Sequence, residues 1–513
     1  MNSKEAYLFW SLAYHLLHQE EYRFIQLSEK QDELWIEKLE NKQTKVIRLL
    51  RKNLDWSNWL QRDIEAVAFN GERIRKQVRH KEMTVLNVYI SPFVPVDDYE
   101  DKLNKPFKHS KMEKTTVESV IMTVDRLDEV VKQLHPYFEK PLFSLEATSD
   151  DEIDEQVIEN LKNQTLRFAA NKAKEEKEVF SQGKPIFTYL FIALQVLAFF
   201  WLEWKGGSTN TSVLIESGAK YNPLILAGEW WRFFTPIILH IGFLHLLMNT
   251  LALFYLGSAV ERIMGNTRFI FIYLLSGFMG SLLSFITSPN VSAGASGAIF
   301  GCFGALLFFG IMKPKLFFRT MGMNIIIVLV FNLALGFMIP GIDNAGHIGG
   351  LIGGFLATGI VLLPKKRKRV VQLLIACFTA LLISGGLYYG YHNPNDQTQE
   401  EMALIEAQNH LEKENYSMMI QELTPFDKEG ATAQTYFLLS YAEIQLGEIE
   451  EAKRHLHLAI EENEQFHEAY YNLSLLYLRE GQMDEAKKYL DQAVELHDSE
   501  DYRKLQDNLN ESK

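Results

Sequence analysis

The chain contains 513 residues with a formal net charge of −13, and 47% of its residues are hydrophobic. A chain of this length predicts several domains. Residues 391–513 carry 27 Asp/Glu and 10 Lys/Arg, so this segment has a net charge of −17 and the remainder of the chain a net charge of +4. The acidic C-terminal segment argues against nucleic acid as a partner.

Residues 1–180 have the polar composition of a soluble domain. They begin without a hydrophobic signal segment, so we expect this domain to stay in the cytoplasm. Helical periodicity predicts helices over residues 6–17, 56–75, 127–134 and 152–180. Runs of β-type residues predict strands over residues 22–25, 34–36, 46–50, 84–90 and 117–124. Together these elements predict an N-terminal cytoplasmic α+β domain.

The first predicted helix carries two histidines that lie close to an acidic residue. His15 and His18 are three residues apart, and Glu20 follows them. Imidazole and carboxylate groups at this spacing are able to bind a metal ion. We favour the simpler interpretation, a solvated helix face without a metal, and the sequence predicts no cofactor or metal site elsewhere.

Residues 181–390 predict a polytopic membrane domain, because a spanning helix needs ~20 mostly apolar residues. Seven stretches are candidates for spans: residues 186–204, 235–257, 269–287, 295–312, 322–340, 346–364 and 370–390. The fourth and the sixth are interrupted by glycines and carry one serine and one histidine. Such interruptions are expected where a helix bundle builds a functional site.

The basic residues of the short loops predict the orientation of the domain. They fall on alternate loops, which we expect to face the cytoplasm: Lys184, Arg262, Arg268, Lys313, Lys315, Arg319 and the run 365–369. The intervening loops, 205–234, 288–294 and 341–345, contain only Lys205, Lys220 and Arg232. Seven spans then predict a cytoplasmic N-terminus and an extracellular segment over residues 391–513.

Two glycine-rich stretches supply the candidate chemical groups. The fourth span opens with Gly294-Ala295-Ser296-Gly297, and the sixth with Gly346-His347, followed by Gly350 and Gly354. Small residues four apart let helix backbones approach closely, and an ionisable residue within a membrane helix is a candidate functional group. Ser296 and His347 on two such helices predict a pair of nucleophile and general base.

The second span contributes two further polar side chains. His245 and Asn249 are four residues apart and share one helix face. If they face Ser296, they are able to donate hydrogen bonds to the oxygen of a tetrahedral intermediate, with the Ser296 backbone N–H as a third donor. The alternative is that these side chains only bond helices together, each contributing ~0.5–2 kcal/mol.

The C-terminal segment contains a repeat of 34 residues. Small or apolar residues recur at this period in five pairs: Leu439 and Leu473, Gly447 and Gly481, Ala452 and Ala486, Leu456 and Leu490, and Ala459 and Ala493. This pattern resembles the tetratricopeptide repeat (TPR), in which small residues let two helices pack within each unit. A degenerate earlier unit is predicted over residues 404–423. The resemblance implies a domain that binds protein or peptide ligands.

The membrane motifs together resemble the rhomboid intramembrane serine proteases. The resemblance covers about residues 185–390 and is carried by Trp231-Arg232, His245-x-x-x-Asn249, Gly294-x-Ser296-Gly297, Gly346-His347 and Gly350-x-x-x-Gly354. It implies a six-helix core plus a seventh span, and a serine endopeptidase with nucleophile Ser296 and base His347. It also implies an oxyanion hole at His245 and Asn249, and structural roles for Arg232 and Glu261. The soluble N-terminal domain and the external repeats resemble the GluP-type rhomboids of Gram-positive bacteria.

The function that these expectations describe is cleavage of transmembrane protein substrates within the lipid bilayer. The group that orients His347 is left open, and packed aromatic rings such as Tyr255 or Phe300 are candidates. An alternative function is that of a binding adaptor, which would present transmembrane clients to a cytoplasmic degradation machine. A transporter is disfavoured, because the sequence has no inverted repeat and no acidic residue in the middle of a span.

Overall fold

The computed structural model describes residues 3–41, 44–77, 80–110, 114–138, 154–364, 368–428 and 430–511. The chain forms two compact units. One consists of residues 1–183 with 309–324, and the other of residues 184–308 with 325–513. Of the basic run 365–369 used to predict the orientation, residues 365–367 lie outside the described residues.

The N-terminal region alternates helices with the strands of one mixed sheet. Its helices are α1 (Ser3–His18), α2 (Ser57–Gln77), α3 (Glu100–Leu103), α4 (Leu127–Leu134) and α5 (Glu155–Val179). Its strands are β1 (Arg23–Leu27), β2 (Glu33–Glu37), β3 (Val46–Arg51), β4 (Met83–Ile90), β5 (Phe107–Lys108) and β6 (Thr115–Met122). The strand order is β1-β2-β3-β4-β6-β5, with β3, β4 and β6 parallel and the outer pairs antiparallel. The predicted α+β class is confirmed.

Helices cover both faces of this sheet. Successive residues of a strand point to opposite faces, so one strand contributes side chains to two cores. On β3, Ile47 and Leu49 pack into the core that contains α1, whereas Val46 and Leu50 pack into the core that contains α2. Arg48 is buried on the α2 side and is neutralised by Asp63 and Glu33. The sheet is therefore an interior layer between helices.

The solvated face predicted around His15 is wrong. His15 and Glu20 are buried, and the ring of His18 stacks between Tyr14 and Phe168 at centroid distances of 4.1 and 3.7 Å. These side chains lie between α1 and α5 and contribute to the core of the domain. Over the residues that the structure describes, no group of three His, Cys, Asp or Glu side chains is arranged to hold a metal ion.

The membrane region consists mainly of helices joined by loops and short turns. They are α6 (Ile186–Lys205), α7 (Thr211–Glu216), α8 (Asn222–Leu226), α9 (Phe243–Ala252), α10 (Ser258–Met264), α11 (Asn266–Thr287), α12 (Ser296–Met312), α13 (Pro314–Thr320), α14 (Gly322–Met338), α15 (Asn344–Val361) and α16 (Arg369–His392). Within the described residues, five helices are long and apolar enough to cross a membrane: α6, the continuous helix Phe243–Met264, α11, α15 and α16. The pair α13–α14, bent by 73°, gives a sixth, and α12 is a shorter apolar helix.

The second predicted span is displaced along the chain. We predicted residues 235–257, but the helix covers Phe243–Met264 and contains a π-helical turn at Leu253–Gly257. The preceding residues form a 3-10 turn, Thr235–Ile237, and Gly242 at φ +76° precedes the helix. Pro236 cannot donate a backbone hydrogen bond in a helix interior. Residues 235–242 are mostly apolar but are therefore not part of the long helix.

Glycines bring the backbones of α12 and α15 into direct contact. A methyl group added at Gly350 would collide with the carbonyl oxygen of Gly297, and one added at Gly354 would collide with the carbonyl oxygen of Gly301. Helix α11 joins the same contact, because a methyl group at Gly280 would lie 2.7 Å from the carbonyl oxygen of Gly346. The three helices pack so closely that no side chain fits between them at these positions.

The C-terminal region consists of stacked antiparallel helix pairs. Its helices are α17 (Asp396–Glu412), α18 (Tyr416–Leu423), α19 (Ala433–Leu446), α20 (Ile449–Glu462), α21 (His467–Arg479), α22 (Met483–Leu496) and α23 (Glu500–Glu511). The repeated Ala452, Ala459, Ala486 and Ala493 are completely buried. Gly447 and Gly481 follow the first helix of each unit, within two residues of its end, with φ near +80°, the left-handed conformation that favours glycine. The predicted TPR architecture is confirmed.

The contact between α12 and α15 can be tested with two matched Gly→Ala substitutions. Gly354→Ala should lower the free energy of unfolding by ~1–3 kcal/mol, because the added methyl group forces the two backbones apart. Gly385→Ala is the control, since nothing lies within 4 Å of the position of its added methyl group in α16. The measurement is the melting temperature in detergent. Equal melting of Gly354→Ala and the unmodified protein would contradict the packing.

Candidate active site

Ser296 is held at the start of α12 by a loop of fixed geometry. Gly294 has φ +154°, and a methyl group at this position would lie 2.7 Å from Cε1 of His245. The Gly294 N–H donates to the carbonyl oxygen of Pro236 over 2.9 Å. Glycine is therefore required on both counts, by its backbone conformation and by the imidazole packed against it.

His347 lies in the first turn of α15 and contacts Ser296 directly. The distance between His347 Nε2 and Ser296 Oγ is 2.8 Å. The imidazole is 9% exposed and stacks on the ring of Phe300, with centroids 4.2 Å apart and planes inclined by 10°. Among the described residues, none hydrogen-bonds His347 Nδ1. The orienting group is thus an aromatic face; Tyr255, the other candidate, is 70% exposed and packs beside Phe254.

The two predicted oxyanion donors lie on α9, as their spacing requires. His245 is adjacent to Gly294 in the loop that precedes Ser296. Asn249 is buried, and its Nδ2 donates to the backbone oxygen of His245 over 3.0 Å. The structure therefore brings His245 to the Ser296 loop, whereas the one Asn249 hydrogen bond that it describes is made within its own helix.

His240 also belongs to this cluster, although it is not among the site residues predicted from the sequence. Its ring is completely buried and lies 5.4 Å from the ring of His245. Its Nε2 accepts a hydrogen bond of 3.4 Å from the Ala295 backbone N–H, and Nδ1 lies 3.2 Å from the Ile238 carbonyl oxygen. His240 therefore holds the Gly294–Ala295 peptide group, which adjoins the peptide group that carries the Ser296 N–H. The cost of an imidazole in an apolar stretch, the argument used for His347, would have identified it.

Arg232 and Glu261 hold the surrounding backbone. Arg232 is buried, pairs with Glu229, and donates to the carbonyl oxygens of Ile215 and Ala219 at 2.7 and 2.8 Å. It thereby ties together the loop between α6 and α9.

Glu261 is completely buried in α10. Its carboxylate accepts the backbone N–H groups of Phe187 and Thr188 at 3.0 and 2.9 Å, and the hydroxyl of Thr188 at 2.7 Å. A carboxylate at the N-terminus of α6 is the charge that the helix dipole favours. Both residues therefore satisfy backbone groups that would otherwise be unpaired in apolar surroundings.

Comparison with known proteins agrees with this geometry. A family model described as Rhomboid domain matches residues 227–364. Rhomboid protease GluP of Bacillus subtilis (strain 168) is 42% identical over 469 residues, which cover 90% of this chain and 89% of that protein. The chain belongs to the rhomboid family.

Further comparisons match shorter parts of the chain. Putative rhomboid protease YdcA of the same organism is 36% identical over 196 residues, 38% of this chain and 97% of that protein. Rhomboid protease AarA of Providencia stuartii is 29% identical over 269 residues, 45% of this chain and 92% of that protein. A Tetratricopeptide repeat model matches residues 443–509. The resemblance to the rhomboid proteases that the sequence suggested is confirmed. The prediction of a multi-pass membrane protein is also confirmed.

Proposed function

We propose that this rhomboid is a serine protease that cleaves transmembrane segments of membrane proteins, with Ser296 as nucleophile and His347 as general base. The observation that carries the proposal is the distance of 2.8 Å between Ser296 Oγ and His347 Nε2. The relatives whose names describe them as rhomboid proteases support it.

The reaction proceeds through two acyl transfers. Ser296 Oγ attacks the carbonyl carbon of the scissile peptide bond while His347 Nε2 accepts the hydroxyl proton. The tetrahedral intermediate collapses, the C–N bond breaks, and the imidazolium returns the proton to the leaving amine. His347 then deprotonates a water molecule that attacks the acyl carbon. The bond from this carbon to Ser296 Oγ breaks, and the imidazolium returns the proton to Oγ. No acidic side chain is needed in this scheme, because Phe300 and the close helix contact orient the imidazole.

The negative oxygen of the tetrahedral intermediate needs hydrogen-bond donors near Ser296. The proposed donors are the Ser296 backbone N–H, His245 and Asn249. The Ala295 peptide that His240 holds sets the direction of the adjoining peptide group. Donors that are fixed before the reaction stabilise this charge without reorganising.

The substrate is a transmembrane helix that is cleaved near its outward end. Peptide bonds inside an intact helix are shielded by side chains and hydrogen bonds, so helix-breaking residues near the site favour cleavage. We assign the protein to the cell membrane, with residues 1–180 in the cytoplasm and the repeats of residues 391–513 outside, where they bind protein or peptide ligands.

Removal of either member of the pair should abolish catalysis. Ser296→Ala and His347→Ala in the full-length protein should each lower kcat on a model transmembrane substrate by ~10³-fold or more, because the nucleophile and its base act as a unit. The measurement is cleavage in proteoliposomes. Ser181→Ala and His392→Ala, at exposed positions, are the controls. Near wild-type cleavage by either active-site variant would refute the assignment, and a cellular phenotype that persists in Ser296→Ala would favour the adaptor function.

The oxyanion residues should affect turnover more than substrate binding. Asn249→Ala should lower kcat by ~10²-fold if it is a principal donor, and His245→Ala should behave similarly. The double variant should fall short of the product of the two effects, because both groups act on one oxygen. Turnover per folded molecule is measured beside a melting curve. Activity that simply follows stability would mean that both side chains are structural.

The orientation can be tested by adding protease to intact spheroplasts. The external protease should remove the repeats of residues 391–513 and leave residues 1–180 intact, because the basic loops hold the N-terminus in the cytoplasm. Digestion of both regions after permeabilisation is the control. A protected C-terminal region would overturn the orientation and the count of seven spans.

A further inference from the structure

The loop before Ser296 and the helix that carries His347 are joined by one carboxylate. Asp343 precedes α15, and its Oδ1 accepts the Gly346 backbone N–H over 2.8 Å. Its Oδ2 accepts the hydroxyl of Ser292 over 2.8 Å. Ser292 lies four residues before Ser296, and Asp343 lies four residues before His347. The carboxylate thus links the segment that leads to Ser296 with the first turn of the helix that carries His347.

Lys220 also holds this loop. Lys220 and Ser292 exchange backbone hydrogen bonds of 2.9 and 3.0 Å. The Lys220 ammonium group donates to the carbonyl oxygens of Ser288 and Asn290 at 2.6 and 3.0 Å. Burial lowers the pKa of Lys220 to about 8. The backbone of Ser292 is therefore fixed by Lys220, and the remaining link, to α15, is made by its hydroxyl.

We propose that Asp343 is a positioning residue that sets the distance between Ser296 and His347, an inference that rests on the proposed protease function. In the part of the chain that the structure describes, Asp343 makes no hydrogen bond to the Ser296 or His347 side chains. It is therefore not the acidic member of a triad. It acts through the backbone, by capping the N-terminus of α15 and holding the Ser296 loop against it.

The need for such a link follows from where the two groups lie. Ser296 is the first residue of α12 and His347 is in the first turn of α15, so both depend on the ends of helices rather than on their interiors. The glycine contacts fix the helix axes, but helix ends fray more readily than helix interiors. A displacement of about 1 Å in reacting groups costs ~10²-fold in rate.

The variants separate the two hydrogen bonds of Asp343. Ser292→Ala removes the link to the loop and leaves the cap of α15 intact, whereas Asp343→Ala removes both. Asp343→Asn is the conservative variant, because its amide oxygen accepts the Gly346 N–H and its amide N–H group donates to Ser292 Oγ. Asp154→Ala is the matched control: Asp154 caps α5 of the N-terminal region by accepting the N–H group of Gln156.

Two rates are measured on the full-length protein in proteoliposomes: cleavage of a model transmembrane substrate, and covalent labelling of Ser296 by a fluorophosphonate. Ser292→Ala and Asp343→Ala should each lower kcat and the labelling rate by about tenfold or more, with KM changed by less than about twofold. Asp343→Asn should retain most of both rates. The double variant should be no slower than Asp343→Ala, because the two residues form one link.

The positioning role would be overturned if both alanine variants kept the wild-type kcat and labelling rate per folded molecule. It would also be overturned if the losses of rate only followed the melting temperature of each variant. Asp154→Ala should retain both rates, and a loss as large as that of Asp343→Ala would also refute the proposal. Cleavage by Ser296→Ala would instead refute the proposed protease function. The rate of Ser296 labelling in the Asp343 variants would still decide the positioning role in that case.

Discussion

The close approach of α12 to α15 depends on the absence of side chains at four positions. Between apolar helices in lipid there is little hydrophobic driving force, so association relies on tight packing and hydrogen bonds. Here Gly350 meets the Gly297 backbone and Gly354 meets the Gly301 backbone. Only at this separation do the short Ser296 side chain and the imidazole of His347 reach a distance of 2.8 Å. Phe300, one turn after Ser296, then supplies the surface on which the imidazole rests. The packing and the candidate chemistry therefore have a single origin.

A second constraint is the pairing of backbone groups in apolar surroundings. The connection between α6 and α9 contains short helices and irregular backbone, which is costly in an apolar environment unless its polar groups are paired. Buried charged side chains perform this pairing: Arg232 binds carbonyl oxygens in the connection, and Lys220 binds those that follow α11. Glu261 does the same for the N–H groups that begin α6. The charges that are rare in this region thus occur where helices begin or end.

The sequence was informative where a pattern has one physical cause. Strand and helix periodicities predicted the N-terminal elements except the short α3 and β5, and the period of 34 residues predicted the paired helices of the repeats. Ser296 and His347 were selected because polar groups are costly in apolar helices, and the structure brings them together. Hydropathy failed at residues 235–242, because apolar residues score equally in a helix and in a turn. It also gave no means to decide which aromatic ring contacts His347, or that Asn249 bonds its own helix, since these depend on side-chain directions in three dimensions.

The repeats are attached to the same loops that hold the candidate site. Helix α16 packs on α11, where Gly390 lies against the ring of Phe285. At the C-terminal end of α16, the Tyr391 hydroxyl donates to the carbonyl oxygen of Ile225 over 3.3 Å. In α17, Thr398 Oγ1 accepts a hydrogen bond of 3.3 Å from Asn222 Nδ2.

Asn222 also donates to the carbonyl oxygen of Ser288, which Lys220 binds as well. The first helix of the repeat region is thus fixed to residues that neighbour the loop of Ser292. In the proposed protease, the first helix of the repeat region is therefore linked through Asn222 to the carbonyl oxygen of Ser288, at the start of the loop that leads to Ser296.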